Sequence, residues 1–489
     1  MKKSPIVVVL GHIDHGKTSL LDAIRKTKLT QKEAGGITQS IGAYQVDAHG
    51  KRSITFIDTP GHAAFEKIRS HGAKAADIAL LVIAADEGIK PQTLEALQDI
   101  KKTNIPFIVV LNKIDKPEAN APKVKQDLAL KGVMVEGWGG QVPVAEVSAS
   151  TGKGIKELLD LILLLADVEG LNVDEKKQAR GIVISSGLDS KRGISATLIV
   201  KEGVLRTGEW IRLESTYGKI RAMENFKGER IKSALPSTPL LALGIKDLPE
   251  TGEEFFVVGS EKEARGSIFS EKSPAISGLS FPKEALVPPS SGQVLKLIVK
   301  AAEAGSLDAV SRIVHESQTE FPETQLQIIA KKIGDISTSD IDLADHFSAA
   351  IIGFHVNASS KIKNLLKQKG VSYKLIRIIY EIGDILKELV SERFAPRRIS
   401  EIYGELSVLA VYITSKKGQV IGGKVLQGIL KKNAVFEIKR QNAIIGKGEV
   451  RNLQQDKKDA KTVEKGKECG LLAQSETPIQ VGDILVFSS

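Results

Sequence analysis

The sequence predicts a multidomain protein of class α/β plus β: an N-terminal α/β nucleotide-binding domain, two β-barrels, a small α/β domain and a long connecting helix. Three observations carry this. An apolar run, a glycine loop and a helical segment follow one another from Ile6 to Ile24. From about Gly181 the pattern changes to short β-branched runs separated by glycine, the mark of antiparallel barrels. A Ser/Pro-rich stretch at residues 266–291 divides the chain. At about 100–200 residues per domain, a chain of 489 residues holds three or four domains.

Composition narrows the class. Hydrophobic residues make up 42% and charged residues 26%, as in a globular protein rather than a disordered one. The single cysteine, Cys469, excludes a disulfide scaffold. No apolar run reaches the ~18 residues of a membrane span, and the run Ile6 to Leu10 is too short for a secretory signal. A cytoplasmic protein without a membrane partner is expected. The net charge of +10 permits a polyanionic partner such as RNA, and equally suits a merely soluble basic protein. Aromatic residues, at 4%, are too few for base stacking to be the main RNA-binding device.

The first element carries the most information. Gly11-His12-Ile13-Asp14-His15-Gly16-Lys17-Thr18 fits G-x-x-x-x-G-K-[ST] between a strand and a helix that starts near Ser19. Glycines let backbone N–H groups of Asp14, His15, Gly16 and Lys17 close on phosphate oxygens, and the helix N-terminus adds positive potential. Lys17 is expected on the β- and γ-phosphates and Thr18 on Mg²⁺. Asp58 follows the run Ile54 to Ile57, and its carboxylate can hold a water of the Mg²⁺ shell. Gly61 can offer its N–H to the γ-phosphate, and Thr38 is the candidate second hydroxyl on the metal. Loss of the γ-phosphate would free both segments.

A phosphate loop does not select a base, but Asn112-Lys113-Ile114-Asp115 can. It ends the run Ile105 to Leu111, where ligands bind in parallel sheets. The Asp115 carboxylate can accept two hydrogen bonds from guanine, and adenine offers no such donor pair. Asn112 would pin the loop, Lys113 would lie over the base, and Ser148-Ala149-Ser150 could close the pocket. These motifs in this order identify a P-loop GTPase domain over residues 1–170, with GTP or GDP as its ligand.

Together G-H-I-D-H-G-K-T, G-G-I-T-Q, D-T-P-G-H and N-K-I-D resemble the translational GTPases. Glu33 to Gln39, Ala84 to Gly88 with Pro91-Gln92-Thr93, and Asn112 to Asn120 with Trp138-Gly139-Gly140 bring the likeness to the bacterial initiation factor two family. The likeness covers nearly the whole chain and is strongest before about residue 170. It implies a ribosome-activated GTPase that promotes initiator-tRNA placement and subunit joining and leaves after hydrolysis. Implied partners are both ribosomal subunits with their rRNA and formylated initiator tRNA, and the implied state is a monomer. The resemblance makes His62 the catalytic histidine, with Ile13 and Ile37 as its hydrophobic gate, and gives Asp14 a monovalent cation. It leaves His15 to a structural role or to rRNA. It implies a form without the family's long N-terminal extension, since the phosphate loop starts at Gly11.

The remaining elements follow in order. A β-barrel is expected over 171–265, a linker over 266–291, an α/β domain over 292–373 with Ser306 capping a helix, a connecting helix over 374–395 and a second barrel over 396–489. The apolar stripe from Leu375 to Val390 fits either a spacer helix or a packed core helix. Gly193, Val200, Gly203 and Leu213 recur as Gly418, Val425, Gly428 and Ile438 at one constant offset, so the two barrels are expected to share a build.

In the family the last barrel binds the formylmethionyl end of initiator tRNA. The matching residues here are Arg440, Glu468, Cys469 and Gly470, although Cys469 reads equally as a small buried residue. Gln454-Gln455-Asp456-Lys457 replaces a loop that carries two more cations and an aromatic in the family, which weakens phosphate contacts. Ser150 replaces a lysine and is expected to loosen the guanine pocket. An elongation-type GTPase that delivers tRNA, and a low-turnover GTP-dependent ribosome scaffold, are the rival readings.

Overall fold

The computed structural model describes residues 2–25, 42–48, 52–189, 192–266, 293–394, 402–415, 418–440, 443–455, 458–475 and 477–488. The chain divides into two compact units, Met1–Val390 and Ser391–Ser489.

The first unit opens with β1 (Ile6–Gly11), α1 (Lys17–Arg25), β2 (Gly42–Ala48), β3 (Arg52–Asp58), α2 (Glu66–Ala75), β4 (Ile78–Ala84), α3 (Pro91–Thr103), β5 (Phe107–Asn112), α4 (Ala121–Leu130), β6 (Val144–Glu146) and α5 (Ile155–Val168). The strands form one sheet in the order β2-β3-β1-β4-β5-β6, parallel except for β2 against β3. Every residue of β1 and β4 is buried. That is why they read as unbroken Val/Ile/Leu runs: a parallel sheet is covered on both faces. The loops after β1, β3, β5 and β6 all leave the carboxyl edge of the sheet.

A barrel follows, built from β7 (Arg180–Asp189), β8 (Gly193–Glu202), β9 (Leu205–Arg206), β10 (Trp210–Arg212), β11 (Tyr217–Asn225), β12 (Arg230–Ile231), β13 (Ser233–Ala234), β14 (Pro239–Ile245) and β15 (Glu254–Val258), with α6 (Glu261–Gly266) after it. Six strands close a ring, β10-β15-β7-β8-β14-β11 and back to β10. The barrel meets the sheet domain at Ser237, whose carbonyl accepts from the Thr55 hydroxyl and whose hydroxyl donates to the Ser4 carbonyl at 2.6 Å.

The middle domain holds β16 (Gln293–Ala301), α7 (Ala304–Glu316), β17 (Thr324–Ile333), α8 (Thr338–Phe347), β18 (Ala350–Phe354), α9 (Ser360–Lys369), β19 (Tyr373–Ile376) and α10 (Glu381–Phe394). Its sheet is parallel, in the order β17-β16-β18-β19. Two sequence expectations are corrected here. Residues 374–376 belong to strand β19, and the helix over this region has 14 residues, about 21 Å at 1.5 Å per residue. Ile382, Leu386 and Leu389 on it are buried, so its stripe is a packing face. Ser306 is not the cap of α7; Glu303 holds that position and Ser306 is buried in the first turn.

The second unit is a barrel of β20 (Ile402–Ser415), β21 (Gly418–Lys431), β22 (Val435–Arg440), β23 (Ala443–Gln455), β24 (Lys458–Asp459), β25 (Thr462–Glu464), β26 (Glu468–Ser475) and β27 (Ile484–Ser488). Its six-strand ring runs β22-β27-β20-β21-β26-β23, the same cyclic order as the first barrel. Gly193 and Gly418, each at positive φ (78° and 128°), open the equivalent strands β8 and β21. Gly203 and Gly428 repeat the device at 67° and 73°. Among the described residues no helix is long and apolar enough to cross a membrane.

Candidate nucleotide site

The phosphate-loop residues fold as their spacing requires. Gly16 has φ 80°, and a Cβ there would lie 2.5 Å from Asn112 Nδ2; one on Gly11 would lie 2.3 Å from the Val82 carbonyl. Only glycine lets the loop lie this close to its neighbours. The Lys17 side chain is buried, and its Nζ donates to the carbonyls of Gly11 (3.0 Å) and His12 (2.7 Å). Burial pulls the ammonium pKa down and the nearby Asp58 carboxylate opposes that. A Cβ on Gly61 would stand 2.4 Å from Lys17 Nζ and 3.0 Å from the Ile13 nitrogen. The turn after Asp58 therefore lies against the lysine and against Ile13.

The base-selecting segments meet the loop through Asn112. Its Nδ2 donates to the His15 carbonyl at 3.0 Å, and its Oδ1 accepts from the Ala149 N–H at 3.2 Å. Lys113, at φ 63°, pairs with Glu87 at 3.0 Å. Asp115 is exposed, and its carboxylate accepts from the Ser150 hydroxyl at 2.8 Å. The Ser148 and Ser150 hydroxyls lie 3.0 Å apart. Hydrogen bonds from Ser148 and Ser150 hold the Asp115 pKa below the usual carboxylate range. The hydroxyl at position 150 thus orients Asp115 through a contact the sequence did not reveal.

The loop glycines, the buried lysine and the start of α1 make a cradle for phosphate oxygens. Thr18 and Asp58 supply hard oxygen donors of the kind Mg²⁺ takes alongside water and phosphate. No group of three acidic, His or Cys residues able to hold a metal by itself occurs among the described residues. Asp14 is an exposed residue at φ 61° in the loop and Ser19 an exposed residue on α1. Thr38 and Ile37 lie outside the described residues.

His62 stands beside Gly61. Its Nδ1 accepts from the Ala64 N–H at 3.0 Å, and its ring meets Tyr380 edge-on at 4.8 Å. Its carbonyl accepts from Arg69 Nη1 at 2.6 Å. Burial first, then the Arg69 charge, lowers the imidazole pKa from 6.5. Neither Tyr380 nor Arg69 belongs to a motif, and only three-dimensional proximity brings them in. Helix α2, just beyond, is bound by α7 through Arg312–Glu66 (2.7 Å) and Lys67–Asp308 (2.9 Å).

His15 and Cys469 take the structural one of the two roles the sequence left open, and a third expectation fails. The His15 side chain is fully buried, its ring 4.9 Å from His12, so it does not reach rRNA; burial lowers its pKa to about 4. His15 can serve the phosphate loop only through its backbone. Cys469 is 6% exposed within the core of the second barrel, and burial raises its thiol to about 11. It is a packing residue, not a contact. Arg440 and the Glu468–Gly470 stretch do not converge. Arg440 pairs with Ala443 at one end of β23, while Gly470 pairs with Gln454 eleven residues along the same strand. At ~3.3 Å per residue this is about 36 Å of strand. Arg440 is also engaged, donating to Asp483 at 2.7 and 2.8 Å. Register, which decides such convergence, is not written in motif spacing.

Comparison with known proteins agrees with the geometry. The family model for the elongation factor Tu GTP-binding domain matches residues 2–167, that for elongation factor G domain 2 matches 178–258, and that for translation-initiation factor 2 matches 286–387. A translation initiation factor IF-2 from Clostridium botulinum is 42% identical over 99% of the chain, which spans 71% of that protein. The Francisella tularensis IF-2 is 40% identical over 99% of the chain, which spans 58% of its length, less than two thirds. Among solved structures, GDP-bound aIF5B from Aeropyrum pernix is 24% identical, with TM-score 0.46, over 100% of this chain and 92% of that one. A bacterial selenocysteine-specific elongation factor is 26% identical, with TM-score 0.43, over 52% of this chain and 45% of that one.

Proposed function

The chain belongs to the translation initiation factor IF-2 family, translational GTPases of initiation, and from that premise we propose that it is a ribosome-stimulated GTPase whose hydrolysis is steered by His62. The observation that carries this is the meeting of Lys17, Gly61, Asn112 and the Asp115–Ser150 pair along one sheet edge, with His62 next to Gly61.

Asp115 selects guanine, with its carboxylate aimed by Ser150. Lys17 is released from the loop carbonyls to the phosphates. Thr18 and Asp58, with Thr38, would hold Mg²⁺, which would neutralise phosphate charge when bound. The role of His62 follows from its proton. Nδ1 accepts from the Ala64 N–H, so the neutral ring carries its hydrogen on Nε2. Nε2–H is a donor. It can orient a water or stabilise phosphoryl oxygen, but it cannot strip the water's proton, which suits a reaction governed by positioning and charge. Ile13 and Ile37 gate that approach. Asp14 would be the residue to hold a monovalent cation.

Ribosomal subunits and their rRNA, and initiator tRNA, are the proposed partners, with the factor acting as a monomer in the cytoplasm. Separation of Arg440 from Glu468 and Gly470 favours a reduced contact with the formylmethionyl end. The test is His62→Ala. GTP binding stays within about twofold of the parent, while ribosome-stimulated turnover falls by two orders of magnitude or more. Unchanged turnover would remove His62 from the mechanism.

A further inference from the structure

We infer that Arg69 is a positioning residue for His62: its buried guanidinium fixes the histidine's backbone through the His62 carbonyl. This rests on the proposed role of His62.

Arg69 is the largest fully buried side chain among the described residues, at 1% exposure. A guanidinium removed from water is costly unless its donors are engaged. Two of its three nitrogens are hydrogen-bonded, and the buried Nε is not. Nη1 donates to the His62 carbonyl at 2.6 Å, and Nη2 donates to Glu95 Oε2 at 2.9 Å. Nε faces Asp99 Oδ2 at 3.9 Å. The planar fork therefore links α2, α3 and the turn that carries His62. A lysine could not make these three approaches at once.

The carboxylate side of this link borders a polar cavity of about 170 Å³ lined by Glu66, Glu95, Gln98, Asp99, Lys102 and Arg312. The cavity thus lies against Glu95 and Asp99. Arg312 enters the same cavity from α7 and pairs with Glu66.

The groups acting on His62 are Arg69 from α2, Glu95 from α3, Arg312 and Glu316 from α7, and the Tyr380 ring ahead of α10. Burial and the two arginines disfavour the imidazolium; Glu316 and Glu95 favour it. Removing the Arg69 charge therefore raises the pH at which His62 takes up a proton.

The experiment uses the full chain with Arg69→Gln, Arg69→Lys and Glu95→Gln, each also in a His62→Ala background. Ribosome-stimulated GTP turnover is measured against pH, together with GTP affinity and the His62 titration by NMR. Arg69→Gln is expected to lower kcat at least tenfold with GTP affinity within twofold, and to move both the acid limb and the His62 midpoint upward. Arg69→Lys keeps the midpoint near the parent's and still lowers kcat. Glu95→Gln, a partly exposed position that folding tolerates, lowers kcat several-fold. In the His62→Ala background none of the three costs anything further. Equal losses with and without His62, or a fall in GTP affinity that matches the fall in kcat, would overturn the inference. Full turnover in His62→Ala alone would instead sink the reading of His62.

Discussion

Single residues set the chemistry of this protein, and burial decides what each can do. His15 and His62 are 47 positions apart in sequence, and burial is the main cause that lowers the pKa of each. His15 is walled in by β1, β4 and His12 and is pushed to about 4. His62 is only partly buried and feels Arg69. The His15 shift has a consequence for stability. Its folded pKa lies below its ordinary 6.5, so the unfolded chain binds the proton more readily between those values. Stability therefore falls as pH drops from 6.5 toward about 4, by up to ~1.4 kcal/mol per unit from this group. Urea titrations of the parent and of His15→Gln between pH 7 and 4 check this: the variant, though less stable at pH 7, loses less on acidification. The side chains of the phosphate loop and of N-K-x-D were legible because their chemistry demands particular residues at particular spacings. Ser150 was read as a loosening substitution; instead its hydroxyl is seated on Asp115.

At the scale of elements, the hydrophobic period fixed most boundaries and capping misled where burial prevailed. β1 and β5 were legible as apolar runs because both faces of the sheet are covered. Ser306 looked like a cap but is buried in the first turn of α7. The stripe after Leu375 looked continuous, yet a strand and a turn occupy its first third, since apolar spacing does not say where a chain reverses. The α7–α2 contact shows how two elements are brought close. Gly305 on α7 lies against Ile68, where a Cβ would come within 2.6 Å of Ile68 Cδ1. The two surface ion pairs beside it contribute little each, ~0–1 kcal/mol. Gly305→Val should therefore cost about 1–3 kcal/mol by overpacking. Hydrogen exchange at α2 should rise in that variant, while α8 and α9 keep their protection. Equal protection of α2 in both proteins would show that the glycine is not what sets the approach.

For the whole molecule, the order of domains was legible and the joint action of remote residues was not. The repeated glycines at one offset anticipated two barrels of the same cyclic strand order, because each glycine holds a positive φ that side chains disfavour, at the same place in its barrel. Motif spacing could not reveal that Arg440 and Gly470 pair with distant positions of β23, or that Tyr380 and Arg69 meet His62. Unit Ser391–Ser489 has its own core around Leu406, Ile421, Phe436, Leu471 and Phe487. Expressed as residues 391–489, it should unfold in one cooperative transition with dispersed NMR signals. A broad, non-cooperative melt would show that its core needs the rest of the chain.

The central claim is that one sheet edge grips one guanine nucleotide through Asp115. Competition between GTP and XTP for the parent and for Asp115→Asn tests it most directly. The account predicts a preference for GTP in the parent and a shift of at least a hundredfold toward XTP in the variant. An unaltered preference for GTP in Asp115→Asn would contradict it.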